Sequence, residues 1–244
     1  MALSNLPKKT MEQTVRANIE RIRDKMAEAA MRTGRQASEI RLMAVTKTVD
    51  ENRIREAIEA GVDIIGENYV QEAKRKIEKV GKHVEWHMIG HLQTNKVKYA
   101  LGLFDMIQSV DRMNLAFELD RRSKALGRPT RILIEVNTSG EKTKNGVSPG
   151  DTIALIRKMT SLENLSVCGL MTVPPWFDDP EEVRPYFTAL RKLRDSVIEE
   201  KIEGVKMREL SMGMSADYQV AIEEGATIVR IGREIFGERG LRKL

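Results

Sequence analysis

Cysteine is almost missing from this sequence: Cys168 is the one thiol in 244 residues. A single thiol excludes an intramolecular disulfide framework and a cysteine-rich zinc site, and it fits a reducing compartment. Histidine is nearly as scarce, at three residues, and aromatic side chains make up 5%. His83, His87 and His91 together with Cys168 do not supply a metal site, because ligands at suitable spacing are too few. No stretch approaches the roughly 18 apolar residues that cross a bilayer. Residues 1–5 lack the basic-then-apolar layout of a secretory signal. No basic block with interleaved aromatics occurs, which argues against a nucleic-acid partner. Neither a P-loop nor G-x-G-x-x-G is present, so nucleotide binding has no local support. The expectation is a soluble cytoplasmic protein with neither membrane nor nucleic acid as a partner.

What is present is a core-forming composition: 41% hydrophobic and 32% charged residues, enough in a chain of this length to bury a full core. The net charge of +5 comes from 41 basic against 36 acidic residues. The two signs are interleaved, as at Arg21, Arg23, Asp24 and Lys25, or Lys74, Arg75, Lys76 and Glu78, so they read as a mixed surface that aids solubility.

Val15, Ile19, Ile22, Met26 and Ala30 recur at helical spacing and predict an added N-terminal helix over 10–33. After it the texture repeats. Apolar runs of strand length fall at 40–46, 63–66, 84–89, 106–110, 132–136, 165–171, 207–211 and 227–231. Helical patterns follow at 50–60, 69–80, 95–101, 112–126, 151–160, 180–200 and 216–224, several of them ended by glycine. Alternating units of this kind build parallel sheets, and eight in about 200 residues predict a (β/α)8 TIM barrel. An open doubly wound sheet would need fewer strands. No linker divides the chain, so one domain over 1–244 is expected.

Barrel chemistry collects at the C-terminal ends of the strands, and polar residues recur there. Lys47 follows the buried-strand pattern Leu42-Met43-Ala44-Val45. An ammonium in that position is poorly solvated, which favours the neutral, nucleophilic amine able to form a Schiff base with an aldehyde. The alternative is a lysine that snorkels to solvent. Ser211-Met212-Gly213-Met214-Ser215 lies between strand seven and its helix, with Ser215 where an N-cap would sit. Val229-Arg230-Ile231-Gly232-Arg233 forms the turn after strand eight. Loops after strands seven and eight of a barrel often hold phosphate, although Ser215 as an ordinary cap and Gly232 as an ordinary turn glycine remain open. These residues also fit an enzyme for a phosphorylated metabolite, with Lys47 forming a substrate imine.

Five segments together carry a resemblance: Ala44-Val45-Thr46-Lys47-Thr48; Gly66-Glu67-Asn68-Tyr69-Val70-Gln71-Glu72; Trp86-His87-Met88-Ile89-Gly90-His91-Leu92-Gln93-Thr94-Asn95-Lys96; Leu210-Ser211-Met212-Gly213-Met214-Ser215-Ala216-Asp217; and Val229-Arg230-Ile231-Gly232. They resemble the pyridoxal phosphate homeostasis protein family, in order and over nearly the whole chain. The resemblance implies a barrel like the N-terminal domain of alanine racemase. It implies pyridoxal 5′-phosphate as an internal aldimine on Lys47. Ser215, Gly232 and Arg233 would contact the phosphate, with Ser211 and Met214 nearby. Arg230 would face the pyridine nitrogen, and Asn68 and His87 would line the ring. Family members often carry a small hydroxyl residue where this chain has Arg233, which leaves the backbone N–H as the contact there.

The implied role is to bind, buffer and hand over the cofactor, maintaining vitamin B6 and amino-acid balance, with PLP-dependent apoenzymes as partners and a monomer as the expected state. An amino-acid racemase is the alternative. An efficient one is not expected, because the related racemase takes a second base from a separate C-terminal domain, whereas this sequence stops at Leu244, soon after strand eight. Tyr69, Tyr99, Tyr186 and Tyr218 have no motif-based claim to that role.

Overall fold

Strands that are apolar on both faces have to be covered on both, and here a ring of helices covers one face and the closed sheet itself the other. The structure, a computed structural model, describes residues 14–237. It begins with α1 (Val15–Arg32), followed by β1 (Arg41–Val45), α2 (Glu51–Glu59), β2 (Ile64–Glu67), α3 (Val70–Val80) and β3 (Glu85–Met88). Then come α4 (Val97–Leu103), β4 (Met106–Val110), α5 (Met113–Leu126), β5 (Thr130–Glu135), α6 (Pro149–Met159) and β6 (Leu165–Met171). The last elements are α7 (Arg184–Glu199), β7 (Glu209–Ser211), α8 (Tyr218–Glu223), β8 (Ile228–Ile231) and α9 (Arg233–Phe236). The strands run in chain order around a closed barrel, every neighbour parallel, and β8 pairs with β1 to close it. This is the architecture the alternating sequence predicts.

Side chains alternate across each strand. On β1, Leu42 and Ala44 enter the large core between sheet and helices, while Met43 turns inward to meet Ile64 and Ile228. A second inner cluster, Met106, Leu133 and Met171, fills the far side of the barrel. Two of the outer helices start where a side chain accepts from their first N–H groups. Asp50 takes two such bonds at α2, and Ser148 takes one at α6.

The N-terminal helix is described over Val15–Arg32, and residues 10–13 of the expected helix lie outside the described residues. Thr14 caps α1 by accepting from the Ala17 N–H at 3.2 Å. Its buried face packs across α2, α8 and α9. Asn18 reaches into that contact and donates to the Ile235 carbonyl at 2.9 Å. The expected helix over 180–200 divides into a 3₁₀ turn, Pro180–Val183, and α7, with Pro185 in the first turn of α7. The expected helix over 216–224 begins only at Tyr218.

Candidate functional site

The chain after β1 is held from behind by charge. Lys76 projects from the inner face of α3 and is fully buried. Its ammonium donates to the Thr46 carbonyl at 2.5 Å, to Glu67 at 2.6 Å and to Glu72 at 2.8 Å. The Thr46 hydroxyl donates to the same Glu67 oxygen, and the Thr48 N–H donates to Glu72 at 2.7 Å. Thr48 adopts φ 65°, a conformation that costs a β-branched residue energy and persists only where its surroundings enforce it. Lys47, between these two anchored residues, is half-buried on the wall of a cavity of about 350 Å³ at the C-terminal mouth of the barrel.

Of the nine residues singled out from the sequence, seven line that cavity: Lys47, Asn68, Met214, Ser215, Arg230, Gly232 and Arg233. Asn68 reaches the wall because Gly90 lets its loop come close; a Cβ on Gly90 would lie 2.4 Å from the Asn68 carbonyl oxygen. Ser211 and His87 are not among the lining residues. Ser211 is buried and accepts from Arg230 at 2.9 Å. His87 is buried within the barrel, its two ring nitrogens bonded to Glu85 and Gln108. His87, expected to line a bound ring, projects inside β3 with Glu85 and Gln108 on its two nitrogens.

Arg230 is the most unusual charge at the site. Its guanidinium is buried, donating to the Ser211 hydroxyl and, at 2.7 Å, to the Thr172 carbonyl. Both are neutral acceptors, and among the described residues no carboxylate lies within ion-pair distance of it. Burial pulls its pKa down to about 10, against the more distant pull of Asp217 and Glu135. A buried cation without a carboxylate partner, at the wall of a cavity, is arranged for an acceptor that enters from outside.

The loops after β7 and β8 present backbone donors to the same cavity. Gly213 has φ 91°, and a Cβ there would lie 2.5 Å from that of Ala221, so only glycine makes this turn. Arg230 N–H donates to the Gly213 carbonyl at 2.9 Å, and Glu234 N–H approaches the Ser215 hydroxyl at 3.4 Å, which ties the two loops together. The N–H groups of Ser215, Gly232 and Arg233 have no protein acceptor among the described residues. All three residues line the cavity, and backbone N–H groups left unpaired at one place favour an anion. Ser215 is not the cap of α8; Asp217 is turned back instead, accepting from Met214 N–H at 2.6 Å. Burial pushes the Asp217 carboxyl up, and that N–H and Arg230 pull it back. One cavity therefore offers an amine, a donor without a counter-charge and a set of N–H groups. These fit a molecule with a carbonyl, a ring acceptor and a phosphate.

The sequence matches the family described as alanine racemase, N-terminal domain, over residues 12–240. The pyridoxal phosphate homeostasis protein of Aquifex aeolicus (strain VF5) is 47% identical over 222 residues, 91% of this chain and 96% of that protein. This chain belongs to the pyridoxal phosphate homeostasis protein family. PipY of Synechococcus elongatus PCC7942, solved with PLP bound, is 33% identical with a TM-score of 0.77, covering 88% of this chain and 100% of PipY. An alanine racemase of Clostridium difficile 630, solved with cycloserine, shares the fold at a TM-score of 0.73 and 16% identity, over 96% of this chain and 62% of the racemase.

Within the family fold, sequence reasoning missed the residues that stand behind the cavity. Lys76 reads as one charge among many on a mixed surface, yet it is fully buried. The available signal was its place on the inner stripe of α3, in step with Val70, Ala73 and Val80. Gln108 and Glu135 sit inside buried strands, where a polar residue is the exception. Glu135 has one oxygen without a partner, and burial together with the charge of Asp111 pushes its carboxyl up to about 7.

Proposed function

We propose that this chain binds pyridoxal 5′-phosphate covalently through Lys47 and serves to hold, buffer and hand over that cofactor rather than to turn over a substrate. The observation that carries this reading is the convergence on one cavity of Lys47, the guanidinium of Arg230 and the N–H groups of Ser215, Gly232 and Arg233. PipY, with PLP bound, supports the choice of ligand. When bound, the cofactor supplies an aldehyde that takes an amine and a ring that withdraws electrons from it.

In this reading the Lys47 amine would hold the cofactor by taking its aldehyde with loss of water. The N–H groups of Ser215, Gly232 and Arg233 would hold the phosphate, and Arg230 would donate to the pyridine nitrogen. A cation beside that nitrogen opposes its protonation, because two adjacent positive charges are unfavourable. Arg230 thereby weakens the electron withdrawal that carbanion chemistry needs, which disfavours transamination and fits modest catalysis or none. PLP-dependent apoenzymes are the recipients in this account, and the protein acts as a cytoplasmic monomer. Among the described residues no helix is long and apolar enough to cross a membrane.

Titration with pyridoxal 5′-phosphate tests the reading. The wild-type protein is expected to gain a visible absorption band that survives dialysis, and Lys47→Ala to gain none that survives. The loaded protein is expected to racemise alanine no faster than free cofactor. A wild-type protein that stays colourless, or a Lys47→Ala variant that keeps the band, contradicts the reading.

A further inference from the structure

The barrel interior is divided by a line of polar side chains. A TIM barrel is ordinarily filled with branched aliphatic side chains. Here one inner apolar cluster is built on β1, β2 and β8, and the other on β4, β5 and β6. Arg230 on β8, Ser211 on β7, Gln108 on β4 and His87 on β3 form a continuous hydrogen-bonded chain across the interior. It ends on Glu85, the first residue of β3, at the mouth opposite the cavity. There Glu85 also pairs with Arg41 at 2.9 Å and Arg131 at 3.1 Å.

The chain has one internally consistent direction. A guanidinium only donates, so the Ser211 oxygen accepts from Arg230, and its single proton goes on to the Gln108 carbonyl oxygen at 2.7 Å. That choice turns the Gln108 amide nitrogen, which only donates, towards His87 Nδ1 at 2.8 Å. His87 then carries its proton on Nε2 and donates it to Glu85 at 2.8 Å. The opposite orientation of the Gln108 amide leaves the Ser211 proton without an acceptor in the chain and requires protons on both ring nitrogens. Burial holds the His87 ring towards its neutral form, against the pull of Glu85.

We propose that Gln108 and His87 are positioning residues for Arg230: this one-way chain fixes the guanidinium at the cavity wall without neutralising it. The inference rests on reading the cavity as the pyridoxal phosphate site. A carboxylate beside Arg230 would hold it equally well but would compensate its charge. Neutral dipoles orient the group and leave the charge for a ligand, while the anion that ends the chain lies at the far mouth, shared with two arginines. A fully satisfied buried network also rigidifies the residues that it joins.

The test uses the full chain with ¹⁵N-labelled histidine, first without cofactor and then titrated with pyridoxal 5′-phosphate. In the wild type, His87 is expected to be neutral with its proton on Nε2. In Gln108→Glu, which is nearly isosteric, the side chain can still accept from Ser211 but has no proton for Nδ1. His87 is then expected to appear as the imidazolium. In Gln108→Leu, cofactor affinity is expected to fall roughly tenfold, the size of one lost hydrogen bond. The visible band of the bound form is expected to shift while reduction still labels Lys47. Thermal melts of the cofactor-free variants establish that they are folded.

A wild-type His87 that is doubly protonated, or protonated on Nδ1, overturns the chain. Unchanged affinity and band position in folded Gln108→Leu overturn its role towards Arg230 while leaving the cofactor site in place. Normal His87 signals in a wild-type protein that takes up no cofactor overturn the reading of the site, and the proposed role with it.

Discussion

Lys76 and Glu67 are both fully buried, and they anchor Thr46, the residue before Lys47. Burial pushes the Glu67 carboxyl up, while Lys76 and Thr46 pull it down. Removing one partner of such a pair strands the other charge, so Lys76→Met is expected to cost about 3–5 kcal/mol of stability, read from urea unfolding. A cost below about 1 kcal/mol, the range of an exposed pair, would show that the cluster is not the clamp described. Glu135 gives a pH signature of its own. Its carboxyl is raised from 4.5 to about 7, so the folded protein holds a proton that the unfolded chain has released. A group of this kind contributes its full stability below its unfolded pKa, and that contribution is lost as pH rises through the folded one. Between pH 4.5 and pH 8 the cofactor-free wild type is expected to lose stability, relative to Glu135→Gln, by on the order of 3 kcal/mol. Parallel unfolding curves for the two proteins across that range would contradict this.

Among the elements, β4 and β6 coincide with their expected spans to the residue, although Gln108 and Ser109 interrupt the apolar run of β4 and Ser166 that of β6. β7 did not: the run over 207–211 yields a strand of only three residues, and just ahead of it the Arg208 N–H is shared between the Cys168 carbonyl of β6 and the Lys206 carbonyl. The start of α8 was misplaced for a similar reason, Asp217 folding back on Met214 before the helix begins. At the site, the residues carried by the strand-end loops stood out by their polarity. The supports of Lys47 and Arg230 did not, because burial of Lys76 depends on Glu67 nine positions away, and that of Gln108 on Ser211 103 positions away. The loop after β7 carries the prediction at this scale. Gly213→Ala forces a methyl against Ala221 in a left-handed turn, so it is expected to displace the Ser215 N–H and weaken cofactor binding at least tenfold while α8 stays helical. Equal affinities by titration would mean that this turn does not shape the anion site.

At the scale of the molecule, barrel closure gives two mouths of opposite use. One carries the ion cluster of Arg41, Glu85 and Arg131; the other gathers loops from β1, β2, β7 and β8 around the cavity. α1 braces the outside of this second group, packing on α2, α8 and α9, so the loops rest on a rigid frame. A binder made this way gains stability from its ligand by mass action, about 2.7 kcal/mol at a hundredfold excess over Kd. On the proposed reading, release to an acceptor has to overcome a covalent bond as well as the anion site. All of this depends on which atom holds the cofactor. Borohydride reduction of the loaded protein, followed by peptide mass spectrometry, locates it. The account predicts the reduced pyridoxyl phosphate group on Lys47; a label on another lysine, or none on a protein that is visibly coloured, would contradict it.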